Sequence, residues 1–353
     1  MIKIRRVKVV EQPVYDLTVR DTHNFLANDV VVHNCTEIYL PTNEDRTAVC
    51  CLSSLNIEYY DEWKNDPLFI ADVLEMLDNC LTYFIDNAPD SIKRAKYSAE
   101  RERSVGIGAL GLHAYFQKHM IPFGSAIAKS LNKKIFKQIK EQCAKADEKL
   151  CELRGPCPDA EKHGVKRRMS HWMAIAPNAS SSIIVGNTSP SIEPYRGNVF
   201  KQDTLSGAHI FKNKYLEKAL DEIGKNTSDI WSQIIAAEGS VQHLDLPEDI
   251  KEVFKTSFEI DQFAIIQLAA DRGEFVDQGQ SLNLFLKPDT TIAYLHGVHF
   301  LAWKLGLKSL YYLRSEKLKS NDKVGVSVER KRIEDEVNMN DLIDGNACIA
   351  CEG

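Results

Sequence analysis

The sequence predicts an α/β protein: a small β-rich segment at the N-terminal end, then a long body of alternating helices and short strands. Three observations predict it. Residues 14–32 are dense in β-branched residues, punctuated by turn formers at 20–22 and 28–29. Residues 67–84 and 126–153 carry apolar side chains at helical spacing. Short apolar runs at 173–176, 281–286 and 310–313, bounded by loop formers or helical stretches, read as strands. The character of the chain changes at Cys35, so residues 1–34, 35–314 and 315–353 are read as three parts.

Residues 1–12 read as an opening strand, and Val14–Val19 as a second. Arg20-Asp21-Thr22 turns the chain into His23–Ala27, and Asn28-Asp29 turns it into Val30–Val32. His33-Asn34-Cys35 follows. The Asn34 side-chain nitrogen can attack its own carbonyl carbon, closing a succinimide and releasing Cys35. The His33 imidazole can protonate the departing side near neutral pH, and the Cys35 thiolate is the strong nucleophile at hand. Taken alone, His-Asn-Cys reads better as a strand ending in a turn.

Residues 14–35 as a whole resemble the C-terminal splicing blocks of inteins. The resemblance assigns Asn34 to cyclisation, His33 to assisting it, Cys35 to accepting the transferred chain, and Asp16 and His23 to supporting acid–base roles. Met1 stands only 34 residues ahead of the junction, so the segment is expected to be the C-terminal piece of a split, Hint-type intein acting in trans.

The composition suits a globular protein: 353 residues, 44% hydrophobic and 27% charged, enough for a sizeable core. A net charge of −6 gives no general argument for nucleic-acid binding. No apolar run approaches the roughly 18 residues of a membrane span. The basic Met1–Arg6 lacks a following apolar region and cleavage site, so no signal peptide is read. Nine cysteines, unevenly spread, fit a reducing cytoplasm better than a disulfide framework.

In the body, Glu37 lies two residues beyond Cys35, so in an extended segment the thiol and carboxylate share a face. That pairing suits hydrogen-atom and proton transfer on one substrate, although a solvated Glu beside a buried Cys is the plain alternative. Ala48–Leu52, with Cys50 and Cys51, leads into Leu55-Asn56-Ile57. Helices are expected over 67–84, 91–103 and 126–153. Cys80 lies off its helix stripe and is given no chemistry. Cys143 and Cys151 are spaced for neither a zinc site nor a redox pair, and Cys157 sits in a loop.

Gly106-Ile107-Gly108-Ala109-Leu110-Gly111 matches G-x-G-x-x-G but follows a charged run, so close backbone packing accounts for it better than a dinucleotide. Small polar residues after a strand, Asn178-Ala179-Ser180-Ser181-Ser182, make an anion site if a helix begins there. Residues 191–197 read as an ordered loop without an assigned role. A helix is expected over 249–270, an alternating strand over 281–286, and a helix over 290–305 closed by Gly306. Tyr311 and Tyr312 fall in a strand over 310–313, where neighbours face opposite sides, so they are no automatic stacking pair. Residues 315–347 read as a flexible tail ending in Cys348-x-x-Cys351, suited to dithiol–disulfide exchange.

Cys35-Thr36-Glu37-Ile38, Ala48-Val49-Cys50, Pro177–Ser182, Lys308–Tyr312 and the Cys348/Cys351 pair occur in the order seen in ribonucleotide reductase large subunits, and residues 35–353 resemble the C-terminal half of that family. The resemblance implies the second half of a ten-stranded α/β barrel. It makes Cys35 the thiyl radical, Glu37 the base for the 3′-hydroxyl, and Cys50 a reductant with a partner cysteine. Cys51 beside it leaves that choice slightly open. Cys348 and Cys351 would reduce the resulting disulfide and be reduced by thioredoxin or glutaredoxin. Tyr311 and Tyr312 would relay a radical from a small (beta) subunit with a dimetal centre, and residues 178–182 would hold the phosphate of a ribonucleoside diphosphate. No metal or cofactor is expected on this chain. ATP and dNTP effectors are assigned to the missing N-terminal half, which would carry the N-terminal intein piece, and the spliced enzyme is expected to be a homodimer with no membrane association. Two rivals stand beside this: a self-processing module with an inactive cargo, and a half-barrel that docks without ligation.

Overall fold

The structure, a computed structural model, describes residues 24–27, 30–33, 36–204 and 207–315. It opens with an antiparallel hairpin of β1 (Asn24–Ala27) and β2 (Val30–His33), in which Ala27 faces Val30 and Asn24 faces His33. The expected Asn28-Asp29 turn between them lies outside the described residues. Asp16, His23, Asn34 and Cys35 lie outside the described residues, as do Cys348 and Cys351.

The body begins with β3 (Leu52–Asn56), the short helix α1 (Tyr60–Trp63) and α2 (Phe69–Asn87). In α2, Leu74, Leu77 and Leu81 of the expected apolar stripe are buried and Val73 and Phe84 pack against the core, while Leu68 lies exposed ahead of the helix and Ile70 takes a core place instead. Next come α3 (Lys93–Glu102), β4 (Gly106–Leu110), α4 (Leu112–Lys118) and the long α5 (Ala126–Arg154), whose Ser125 hydroxyl caps the Ala128 N–H. After α6 (Pro158–Lys162) and α7 (Ala179–Ile184), the hairpin β5 (Val199–Thr204)/β6 (Gly207–Lys212) leads to α8 (Lys214–Glu222), α9 (Ser228–Ala236) and α10 (Glu248–Val253). The chain then runs through α11 (Gln262–Gly273), β7 (Leu284–Leu286), α12 (Ile292–Lys304) and β8 (Leu313–Ser315).

Parallel extended segments form the wall on which the site is built. β3 pairs with β4 from Leu52–Gly106 to Asn56–Leu110. On the other side of β4, the Ile107 N–H donates to Trp172 O at 2.7 Å. Residues 173–175 in turn meet 278–281: Gln278 N–H donates to Met173 O at 3.0 Å and Ser281 N–H to Ile175 O at 2.8 Å. That last segment continues into β7, which pairs in parallel with β8. The glycine-rich stretch at 106–111 is thus a strand and turn in close contact with its neighbours. A Cβ on Gly108 would stand 2.8 Å from Ala174 O and 3.0 Å from Ser54 Oγ.

The described strands pair two by two in an open wall, with no closed barrel among them, where the second half of a ten-stranded barrel is expected. Three expectations need correction. The 173–176 strand is reduced to a single bridge, Ile175 to Gln280. The single helix over 249–270 is two, α10 and α11, separated by a loop. Ser257 N–H is taken by Tyr195 O at 2.8 Å, the Glu259 carboxylate caps Thr256 N–H at 2.8 Å, and Asp261 caps Phe263 N–H at 3.1 Å. The apolar periodicity hides this break because α10 feeds a second core, with Leu216, Trp231, Ile234 and Phe254, while α11 feeds the main one through Ile265, Ile266 and Leu268. Finally, residues 281–286 are buried on both faces, so the alternation there does not mark a solvent side. Ser281 and Asn283 are polar because each has a specific buried partner, described next.

Candidate active site

Glu37 is the buried carboxylate of the site, at 3% exposure. An ionised carboxylate survives out of water only when hydrogen-bonded. Here the Ser281 hydroxyl donates to Oε2, and the Thr36 N–H reaches the same oxygen at 3.2 Å. The backbone is pinned on the same side: Gly279 N–H donates to Glu37 O at 2.8 Å, and the Ser309 hydroxyl to Thr36 O at 2.9 Å. The Thr36 and Ser281 hydroxyls lie 3.0 Å apart. Gly279 is required for this approach, since a Cβ there would stand 2.4 Å from Thr36 O and 2.3 Å from the Tyr39 ring. These bonds fix Thr36 and Glu37, which follow Cys35 in the sequence.

Asn178 sits in the left-handed region, φ 56° and ψ 28°, where Asn is tolerated better than most residues. Its side-chain amide donates to Ser54 Oγ at 2.8 Å, Ala176 O at 3.0 Å and Ala109 O at 3.2 Å. The start of α7 is thereby tied to β3 and β4. A short helix does begin at Ala179, which meets the condition set for an anion site, and its first-turn N–H groups have no side-chain cap from Asn178. Ser180 and Ser181 are exposed, whereas the Ser182 hydroxyl turns back to Ala179 O at 2.7 Å. Of the five residues singled out there, Asn178 and Ser182 thus direct polar atoms into the protein itself.

Cys50 is exposed. Cys51 joins the β3–β4 ladder, its carbonyl accepting from Gly106 N–H at 2.9 Å, and its sulfur lies 3.8 Å from Leu77 O on α2. Burial pushes the Cys51 thiol up to about 11. The two adjacent cysteines therefore differ: one is open, and the other is turned against a helix as a poor thiolate former.

The rings of Tyr311 and Tyr312 pack against each other in a tilted arrangement. Their ring centroids are 3.9 Å apart at 38°, and their hydroxyls are 3.1 Å apart. β8 starts only at Leu313, so the pair lies before the regular pleat and its alternation. The pair is nonetheless held to the wall: Tyr311 N–H donates to Leu282 O at 2.8 Å, Tyr312 N–H to Asn283 Oδ1 at 3.1 Å, and Leu284 N–H to Tyr312 O at 2.9 Å. One segment, 279–284, thus contacts both Glu37 and the tyrosines.

Sequence reading missed Ser281, Ser309, Asn283 and Glu193. Glu193 is 4% exposed, and its Oε1 accepts from Asn283 N–H at 3.1 Å. Burial pushes its carboxyl up to about 7 despite the Asn283 hydrogen bonds and the Arg314 and Arg196 charges. The usable signal was a carboxylate between Ile192 and Pro194, and two polar residues alternating within an apolar strand.

Among the described residues, no group of three or more His, Cys, Asp or Glu side chains is placed to hold a metal. No helix among them is long and apolar enough to cross a membrane.

The profile of the family described as ribonucleotide reductase, barrel domain, matches residues 15–172 and 159–313. The ribonucleoside-diphosphate reductase large subunit of Invertebrate iridescent virus 6 is 50% identical over 329 residues, 92% of this chain and 34% of that protein. The large subunit of Invertebrate iridescent virus 3 is 49% identical over 90% of this chain and 50% of its own length. The structure of the Actinobacillus ureae class Id ribonucleotide reductase alpha subunit superposes with a TM-score of 0.74 at 41% identity, covering 80% of this chain and 52% of that one. The chain spans half or less of the length of these curated relatives.

Proposed function

This chain belongs to the ribonucleotide reductase barrel-domain family, and from that premise we propose that it is the C-terminal half of a large, catalytic subunit that reduces ribonucleoside diphosphates to 2′-deoxyribonucleoside diphosphates. The observation that carries the proposal is the single segment 279–284, bonded at one end to Glu37 and at the other to the closely packed Tyr311–Tyr312 pair. It joins a buried base beside Cys35 to two phenols placed for one-electron transfer.

In this reading a radical arrives from the dimetal centre of a small subunit and passes through Tyr312 and Tyr311 to the Cys35 sulfur. The thiyl radical takes the hydrogen atom from C3′ of the ribose. Glu37 takes the 3′-hydroxyl proton. The 2′-hydroxyl leaves as water, and Cys50 with a cysteine of the missing half supplies two electrons and two protons, becoming a disulfide. The C3′ hydrogen then returns from Cys35. The Cys348/Cys351 dithiol reduces the disulfide by exchange and is itself reduced by thioredoxin or glutaredoxin. The exposure of Cys50 and the inward turn of Cys51 favour Cys50 for this part. Ser180, Ser181 and the first-turn N–H groups of α7 hold the substrate phosphate.

Assembly of the enzyme proceeds by trans-splicing. The β1–β2 hairpin ends at His33, directly before the Asn34–Cys35 bond. Asn34 cyclises with help from His33, Asp16 and His23, and Cys35 receives the N-terminal half before it serves as the radical site. The test is to mix this chain with a polypeptide carrying the N-terminal reductase half and N-terminal intein piece. A ligated product, blocked by Asn34→Ala, is expected, followed by deoxyribonucleotide formation when the small subunit is added. Reductase activity without ligation would remove splicing from the account and leave docking of the halves.

A further inference from the structure

We infer that Glu193 is a positioning residue for the Tyr311–Tyr312 pair, holding it in place through Asn283. Three observations meet here. Glu193 sits in a rigid loop: Ser191 has φ 48°, its hydroxyl donates to Ala176 O at 2.7 Å, Glu193 N–H donates to Pro190 O at 3.0 Å, and Pro194 follows. From that loop Glu193 Oε1 accepts from Asn283 N–H at 3.1 Å, in an environment closed to water. On the far side of the same residue, Asn283 Oδ1 accepts from Tyr312 N–H at 3.1 Å. Asn283 thus takes its backbone position from Glu193 and passes it to the tyrosines through its side chain.

The flanking bonds make the coupling tight. Leu282 O accepts from Tyr311 N–H at 2.8 Å, and Leu284 N–H donates to Tyr312 O at 2.9 Å. Three consecutive wall residues, 282 to 284, therefore set where the two tyrosines run. Letting go of the middle one tilts the rings, whose hydroxyls are only 3.1 Å apart. A carboxylate is a costly way to cap one amide in a buried place, and an apolar side chain beside Ile192 would pack more cheaply. The charged groups facing it are Arg196 on its own loop, Arg314 on β8 and Arg272 on α11. The reductase role of the pair rests on the function proposed above, whereas the positioning itself does not.

The test places 3-fluorotyrosine at position 312 of the full chain and reads its fluorine resonance. The parent gives a single line. Glu193→Ala and Asn283→Ala split or broaden it, while Glu193→Gln, which keeps an acceptor for Asn283 N–H, retains one line. Should Glu193→Ala not fold, Glu193→Asp decides, since it keeps the carboxyl group but loses the reach and is also expected to split the line. The same label at position 294 stays unchanged and controls for global loosening. In the joined enzyme, Asn283→Ala lowers kcat about tenfold with KM unchanged, because the substrate is not touched. An unchanged line at 312 in the Ala and Asp variants overturns the inference, as does splitting in Glu193→Gln. A parent enzyme without turnover would refute the reductase reading, while the fluorine line still decides this one.

Discussion

The Ser281 hydroxyl donates to the Glu37 carboxylate across 244 residues of sequence. The bond joins the turn after Cys35 to the central segment of the wall, and it is the main side-chain support of a carboxylate at 3% exposure. A hydrogen bond to a charged group contributes about 1.5–3 kcal/mol. Ser281→Ala is therefore expected to lower kcat of the joined enzyme by about 10- to 100-fold, with far-UV circular dichroism unchanged. An undiminished kcat would remove Ser281 from the site.

The contact between the Tyr311 and Tyr312 hydroxyls makes a different prediction. Phe in place of either tyrosine keeps the ring packing and removes the oxidisable O–H. Stability should change by only about 1 kcal/mol, measured by urea unfolding. Turnover should fall by about three orders of magnitude, equivalent to ~4 kcal/mol of barrier. A variant that lost stability but kept turnover would show the pair to be packing alone.

Glu193 predicts a pH dependence of stability. Its carboxyl rises from an ordinary 4.5 to about 7 on folding. Between those values the unfolded chain has released a proton that the folded chain still holds, so stability falls as pH rises through the window. The loss accumulates to about 3 kcal/mol and is complete above pH ~7. Glu193→Gln removes this term. The variant should gain stability relative to the parent between pH 4.5 and 8, read from urea midpoints at each pH. Parallel curves would show that Glu193 does not titrate in that range.

Cys50 and Cys51 should separate by reactivity. Cys50 is exposed, while the Cys51 thiol is pushed up to about 11 by burial. At pH 8 iodoacetamide should label Cys50 at least tenfold faster than Cys51, because the thiolate is the reacting form. Peptide mapping by mass spectrometry reads the ratio, and equal labelling would contradict the assignment of Cys50 as reductant.

Local periodicity carried much of the fold to the surface of the sequence. The helices α2 and α5 are set by neighbours in the chain, whereas the close packing of Gly106 and Gly108 is made by distant residues, Leu52, Ser54 and Ala174. The α10–α11 break was hidden because two cores at different places draw on one continuous apolar rhythm, and the stop is made by a long-range bond from Ser257 to Tyr195. The candidate site divides in the same way. Glu37, Cys50 and the tyrosines stand in recognisable local motifs. Their supports do not: Ser281, Ser309, Asn283 and Glu193 are ordinary residues until the wall brings them to Thr36, Glu37 and Tyr312. The ring contact of Tyr311 and Tyr312 is not legible in strand alternation either, because both residues precede β8, which begins at Leu313.

The most direct measurement is deoxyribonucleotide formation by the joined, pre-spliced enzyme with Cys35→Ser, assayed with small subunit, dithiol reductant and ribonucleoside diphosphate. Folding should be intact and product absent, because serine cannot hold the thiyl radical. Turnover at the parent rate without that sulfur would contradict the account.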